Sequence, residues 1–164
     1  MTENELQNLI ESLTEMPETV KQFVNDFGNG ATWKLSEKEF SFLENVCHLN
    51  DIEREGYAVR IEKLLNENQP FLYDVDGGKL AAERDYNSQN LDDALRLFAD
   101  SRQANLERVK NLSPEQLNRS GEFENVGAVT LARILTMMRE HDAAHIRELN
   151  VLREFLAQSA DSAK

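Results

Sequence analysis

The chain has 164 residues and is poor in several residue types, and each shortage excludes a class of structure. A single cysteine, Cys47, excludes an internal disulfide. No run of about eighteen apolar residues occurs, which excludes a membrane-spanning helix. The N-terminus is acidic and amphipathic, and it lacks the basic and apolar regions of a secretory signal. We therefore expect one globular domain over residues 1–164, in the cytoplasm.

Basic residues are also scarce. The 18 lysines and arginines face 30 acidic residues, which gives a net charge of −12. Proteins that bind nucleic acids take much of their affinity from basic side chains on phosphates, and anionic membrane surfaces attract the same side chains. The composition therefore predicts neither a nucleic-acid nor a membrane partner.

Glycine and proline are few, at seven and three, and most of them separate long stretches with apolar residues at helical spacing. The spacing predicts four helices, at about 3–27, 36–67, 90–112 and 127–158. Pro17 predicts an interruption of the first helix near Met16. Ser36 and Glu39 fit a capping box at the start of the second, and Asn90 is a plausible cap for the third. A hydrophobic staple of Leu35 and Phe40 would accompany that box.

A long connection, "NENQPFLYDVDGGKLAAERDYNSQ", separates the second and third helices. It is too long for a simple turn between neighbours, and "KLAAERDY" within it predicts an added helical turn. Four-helix bundles accommodate such a crossover. We therefore predict an all-α fold, a four-helix bundle with a long crossover between helices two and three.

The chain has only three histidines, and two of them, His141 and His145, are four residues apart within the apolar stripe of the fourth helix. Residues at this spacing share one helix face, so two imidazoles can converge on one metal ion. The third, His48, lies midway along the second helix. Bundles build metal sites from side chains on facing helices. The three histidines therefore predict a metal site.

Other readings of these histidines stay open at this stage. A single inward histidine is more often a hydrogen-bonded core residue than a ligand.

If the three histidines do bind a metal ion, three neutral imidazoles would leave a position on it for water or substrate, which is typical of catalytic metal sites. The stretch is not a metalloprotease HExxH motif, because Asp142 follows His141. No catalytic residue is assigned from the sequence.

Several side chains near the histidines are candidates for support or substrate contact. Glu44 and Asp51 share the helix face of His48, and either carboxylate could accept a hydrogen bond from a ring nitrogen. Asp142 is a further candidate, and Tyr86 in the long connection could present its hydroxyl to a substrate. The alternative for the three carboxylates is that they are solvated. The alternative for Tyr86 is that the "ERDY" segment braces the loop against the bundle. Cys47 is interpreted as a small buried residue.

Four stretches together resemble the DinB-like superfamily, which includes the bacillithiol S-transferase-like and mycothiol-dependent maleylpyruvate isomerase-like proteins. They are "TWKLSEKEF", "HLNDIER", "AAERDYNSQNLDDALRLFADSR" and "HDAAHIREL", and the likeness covers about residues 30–156. The resemblance implies an up-down-down-up bundle with a divalent metal, nickel or zinc, on His48, His141 and His145. Relatives often carry glutamine where this chain has Glu148, which could still orient a ligand.

The resemblance also implies a chemistry. Its characterised branches predict a transferase in which a low-molecular-weight thiol is activated on the three-histidine metal. The sequence shows no dedicated general base, which favours this reaction over the first alternative, hydrolysis of a small substrate. The second alternative is a stress-related metal-binding protein without catalysis. Related bundles commonly pair, and the apolar residues Phe42, Val59 and Ile134 beside the main stripes predict a homodimer.

Overall fold

The structure is a computed structural model that describes residues 1–162. Its helices are α1 (Glu3–Gln22), α2 (Val24–Phe27), α3 (Phe42–Asp51), α4 (Ala58–Asn66), α5 (Gly77–Glu83), α6 (Leu91–Val109), α7 (Pro114–Leu117) and α8 (Leu131–Ser162). A π-helical segment, Ile52–Tyr57, joins α3 to α4, so that these three pieces form one long helix. The four-helix bundle is confirmed, with α1, α3–α4, α6 and α8 as its long members.

The predicted break at Pro17 is wrong, because α1 runs through this residue. Proline has no N–H, so the carbonyl of Leu13, four residues earlier, loses its partner within the helix. In the structure Nη1 of Arg102 donates to that carbonyl at 3.0 Å. A side chain from α6 therefore satisfies the group that proline leaves free, and the helix continues to Gln22.

The capping box predicted at Ser36 and Glu39 is also misplaced, together with its staple. The helix begins at Phe42, and its cap is Ser41, whose Oγ accepts from the N–H of Glu44 at 3.1 Å. Glu44 returns the bond by accepting from the N–H of Ser41 at 2.8 Å. Ser41 is fully buried and its hydroxyl also donates to Asn87. Tertiary contacts of this kind explain why the second of two similar S-x-x-E patterns is used.

A small sheet was not anticipated. It contains β1 (Phe71–Leu72), β2 (Ser120–Phe123) and β3 (Gly127–Thr130), in the order β1-β2-β3. β1 pairs parallel with β2, and β2 and β3 form a hairpin that leads directly into α8. The sheet ties the long crossover to the segment before α8. Within the crossover, α5 confirms the predicted helical turn, and Asn90 caps α6 as predicted.

The buried core consists of two apolar clusters stacked along the bundle. Every long helix contributes to both, and the change from one cluster to the other comes at about the same height in each. In α8, for example, Met138 belongs to the first cluster and Leu149 to the second. Between the clusters lies a layer of polar side chains: Glu53, Arg102, Asn105, Asp142 and the three histidines. The core therefore contains a polar layer at mid-height.

Two of the residues proposed for an outer apolar face belong to this core instead. Phe42 and Ile134 are both fully buried, and only Val59 is exposed. The buried faces of α3 and α8 are wider than one apolar stripe, because each helix packs against neighbours on more than one side. No helix within residues 1–162 is long and apolar enough to cross a membrane.

Candidate metal centre

His48, on α3, and His141 and His145, on α8, converge in the polar layer. The distance between the Nε2 atoms is 3.2 Å for His48 and His141, and 3.1 Å for His141 and His145. One potential ligand atom from each residue lies within 4.8 Å of the others. The predicted meeting of the three histidines is thus present in the structure.

The surroundings of His145 fix which of its nitrogens carries the proton. Its Nδ1 lies 2.7 Å from Oδ1 of Asn45 and 3.0 Å from a carboxylate oxygen of Glu148, and both are acceptors. The amide of Asn45 is itself oriented, because its Nδ2 donates to the carbonyl of Ser41 at 2.9 Å. Nδ1 of His145 must therefore hold the hydrogen, which leaves a lone pair on Nε2 that points at the other two rings.

This arrangement suits a divalent ion. Nitrogen ligands at about 2.0–2.1 Å from one ion lie about 3–3.4 Å from each other, which matches the two Nε2 separations. A hydrogen on Nε2 of His141 could make a good hydrogen bond to Nε2 of His48 or of His145, but not to both at once. A metal ion, in contrast, can accept the lone pairs of all three nitrogens. The donor set is also the right one, since neutral imidazole is a common ligand of zinc and nickel.

The protonation equilibria agree with neutral rings. Burial is the main reason that the pKa of His48 falls to about 4, and the neighbouring His145 lowers it further. Burial also lowers the pKa of His141 to about 2, with His145 and His48 as further causes. A proton on one ring is disfavoured by desolvation and by the other rings. At neutral pH, His48 and His141 therefore keep the uncharged form that a metal ion requires.

His48 is enclosed tightly on its other side. Its Nδ1 is buried and makes no hydrogen bond within the described chain. A Cβ added to Gly77, the first residue of α5, would lie 2.3 Å from Cε1 and 2.5 Å from Nδ1 of this ring. The ring of Phe40 packs against it at 5.3 Å between centroids. Only glycine at position 77 lets the crossover approach this closely.

A buried ionic group supports the middle of α8. Arg102 is 1% exposed and forms two hydrogen bonds with the carboxylate of Asp142, at 2.7 and 2.8 Å. The same guanidinium bonds Glu53 of the π-helical segment at 3.0 Å. Asp142 was a candidate for direct histidine support, but its partner is Arg102. The group holds α8, α6 and the π-helical segment together beside the histidines.

The other sequence candidates lie further from the rings. The Asp51 carboxylate accepts from the hydroxyl of Tyr86 at 2.5 Å and from Arg84 at 2.6 Å, so this acid braces the crossover, as one of the readings proposed. Glu44 caps α3 and pairs with Lys34. Of the five candidates, Glu148 alone contacts a histidine. Cys47 is buried as expected, and burial raises the pKa of its thiol to about 12.

Sequence reasoning missed three contributors: Asn45, Gly77 and Arg102. Asn45 lies one turn before His48 on the same helix, and an asparagine inside an apolar stripe at that spacing is a usable signal. Gly77 and Arg102 gave no such signal, because each acts across the bundle.

The fold and the three converging imidazoles define a class, the four-helix bundles with a histidine cluster suited to a divalent metal. A family model described as the DinB superfamily matches residues 2–149. The chain belongs to the DinB superfamily. A search of curated proteins returned no match.

A solved structure supports the same fold. YfiT from Bacillus subtilis, described as a probable metal-dependent hydrolase with an unusual four-helix bundle topology, superposes with a TM-score of 0.86. The two chains are 19% identical, and the match covers 96% of this chain and 90% of YfiT. At this identity the likeness shows the fold alone.

Proposed function

We propose that this chain is a metal-dependent enzyme in which His48, His141 and His145 hold one divalent ion, nickel or zinc. The observation that carries the proposal is the convergence of three Nε2 atoms, with His145 held by Asn45 in the tautomer that donates a lone pair. Three protein ligands leave further positions on the ion for a small molecule, which is the usual arrangement of catalytic sites.

The reaction we propose is the transfer of a low-molecular-weight thiol to an electrophilic small molecule. The ion, when bound, would lower the pKa of a coordinated thiol or water molecule. The chain's own residues orient the histidines and exclude water from His48 by burying it under Gly77 and Phe40. The carboxylate of Glu148 is engaged by His145, which leaves no carboxylate dedicated to activating water. A thiol needs no such base once its proton is lost to solvent.

Hydrolysis of a small substrate is the second candidate, and two observations favour it. YfiT, which shares the fold, is described as a probable metal-dependent hydrolase. Glu148 is also the one carboxylate in contact with a cluster histidine in the described chain, and its side chain is 57% exposed. For hydrolysis this carboxylate would have to exchange its contact with Nδ1 of His145 for one with water, and its exposure to solvent permits that exchange. The third reading, a metal-binding protein without catalysis, predicts no turnover of either kind.

The test begins with metal content and then compares two reactions. Purified protein should carry about one divalent ion per chain, and His145→Ala should lose most of it. The control is Cys47→Ala, which removes the one thiol of the chain, adjacent to His48 in sequence, and should keep the ion. Full occupancy in His145→Ala would overturn the site.

Turnover then separates the three functions. Consumption of a chloronitrobenzene only with added thiol supports the transferase. Hydrolysis of a nitrophenyl ester without thiol supports the hydrolase. Neither reaction in the fully loaded protein supports the binding protein. The His145→Ala variant is the blank for both assays.

A further inference from the structure

A cavity of about 460 Å³ lies between α8 and the loop before α3. Its apolar walls come from the loop and from the face of α8 beyond His145: Leu35, Phe40, Ala144, Val151 and Leu152. Leu35 is 36% exposed and Val151 is 47% exposed, so both side chains are accessible to a molecule in the cavity. The cavity has the volume and the apolar lining of a small-molecule site.

Three residues connect this cavity to the metal centre. Asn45 and Glu148 line it, and both contact Nδ1 of His145. Phe40 lines it as well and packs against His48. A molecule in the cavity would therefore be separated from two of the three histidines by a single side chain.

The cavity also holds two cations that form no close pair. Lys38 and Arg147 line it, and neither side chain forms a salt bridge or a hydrogen bond with the side chains that the structure describes. The pKa of Glu148, which is lowered mainly by its hydrogen bond with His145, is nevertheless lowered further by the charge of Arg147. Nearby cations are paired, for example Lys34 with Glu44 and Arg153 with Asp26. The two acids of the lining have partners, since Glu39 accepts from Ser36 and Glu148 from His145. Lys38 and Arg147 therefore leave their N–H groups available to an anionic group in the cavity.

We infer that this cavity binds the carboxylate-bearing end of a small molecule with an apolar body. The apolar walls would cover the body, and Lys38 and Arg147 would bind the carboxylate, which arginine can hold through two parallel hydrogen bonds. That the bound molecule is a substrate rests on the proposed function. That the cavity binds a carboxylate does not, because the cavity needs no metal ion.

The experiment uses metal-free protein, so that a carboxylate cannot bind an ion. The probe is 4-phenylbutyrate, and its uncharged match is 4-phenylbutanamide; affinities are measured by calorimetry or by NMR titration. The acid should bind at least about tenfold more tightly than the amide, because the charge-assisted bonds are lost in the amide. Arg147→Gln and Lys38→Gln should each reduce the affinity for the acid several-fold and leave the affinity for the amide unchanged.

Arg139→Gln is the matched control. Arg139 is also an exposed arginine of α8 that forms no salt bridge or hydrogen bond with the described side chains, but it lines a different cavity. It should not change the affinity for the acid. Equal binding of acid and amide, or an equal loss of affinity in Arg139→Gln, would overturn the inference, since the charge effect would then be non-specific. A phosphonate that binds more tightly than the carboxylate would overturn the assignment of ligand class.

The two proposals can fail separately. If the acid binds as described but the loaded protein turns over neither thiol nor ester, the cavity stands and the proposed enzyme does not. If turnover is found, Arg147→Gln should raise KM for acidic substrates with little change in kcat. An active enzyme whose KM does not change in Arg147→Gln or Lys38→Gln would overturn the assignment of the bound molecule as its substrate and leave the enzyme intact.

Discussion

At the scale of single residues, Asn45 decides which nitrogen of His145 can bind a metal ion. Its Oδ1 receives the Nδ1 hydrogen, and its Nδ2 is tied to the carbonyl of Ser41, so the amide cannot turn over without losing a bond. Partners of this kind commonly change metal affinity by about 10–100-fold. The candidate metal centre therefore consists of four residues, three histidines that would bind the ion and one asparagine that orients His145.

We expect Asn45→Leu to weaken metal binding by about 10–100-fold, because His145 loses an oriented acceptor and its tautomer is no longer fixed. The measurement is a competition titration against a chelator of known affinity. Glu148→Gln is the control: it keeps an acceptor for Nδ1, so its effect should be smaller. Wild-type affinity in Asn45→Leu would contradict this role.

A second prediction concerns pH. The folded-state pKa of His48 is about 4, below the ordinary value of 6.5, and that of His141 is lower still. Between these values the unfolded chain binds protons that the folded, metal-free chain does not. The free energy of unfolding of metal-free protein should therefore fall as the pH falls from 6.5 towards 4. Bound metal should be lost over a similar range, with more than one proton taken up per ion.

Urea unfolding at several pH values measures the first effect, and His141→Gln is its control. That variant lacks one of the depressed groups, so its stability should fall less on acidification, while the carboxylates titrate similarly in both proteins. Parallel pH profiles for the two would show that the histidines do not carry the effect. A one-proton slope of metal release would indicate a single histidine ligand.

At the scale of elements, α5 is held against the metal centre by the absence of a side chain. A Cβ at Gly77 would meet the His48 ring at 2.3 Å, whereas a Cβ at Gly78 would meet only a side-chain oxygen of Asp76, at 3.5 Å. Two adjacent glycines on one short helix therefore have different roles. The first is required by a close approach, and the second is not.

Gly77→Ala should displace either α5 or His48, with a cost of about 1–3 kcal/mol in the free energy of unfolding and a weaker metal site. Gly78→Ala should leave both quantities close to those of the wild type. Thermal unfolding and metal titration of the two variants check the prediction. Equal behaviour of the two would mean that α5 does not pack on His48 as described.

Arg102 of α6 links α8 and the π-helical segment through Asp142 and Glu53. It also donates to the carbonyl of Leu13 in α1, which has no helical partner because of Pro17. Arg102→Leu would leave Glu53 and Asp142 as buried acids without their cation. The expected loss is about 3–5 kcal/mol in the free energy of unfolding. Arg96→Ala, which removes an exposed arginine of α6 that pairs with Asp93, should cost less than about 1 kcal/mol. A loss below that value in Arg102→Leu, measured by urea unfolding, would contradict the role of this buried group.

At the scale of the whole molecule, the homodimer remains a prediction, but two of the three apolar residues that suggested it are not available at the surface. Phe42 and Ile134 are in the core, and of the three residues only Val59 is on the surface. Light scattering at micromolar concentration decides the state. A mass near twice the chain mass of 18.8 kDa supports the dimer, and 18.8 kDa refutes it.

The sequence by itself determined the helical class, the approximate extent of four helices and the three histidines. These follow from short-range rules: apolar residues at helical spacing, caps such as Asn90, and two imidazoles one turn apart. Such signals are local, so they can be read without knowing which helices are neighbours. They also sufficed to place His48 in the same centre, because a bundle aligns the middles of its helices.

Tertiary structure decided what depends on contacts between distant segments. The continuation of α1 through Pro17 needs Arg102, which is 85 residues away along the chain. The choice of Ser41 over Ser36 as a cap depends on burial against Asn87, and the tautomer of His145 depends on Asn45 of another helix. In each case a polar group leaves water and must find a partner, and only the packed fold determines which partner lies within reach.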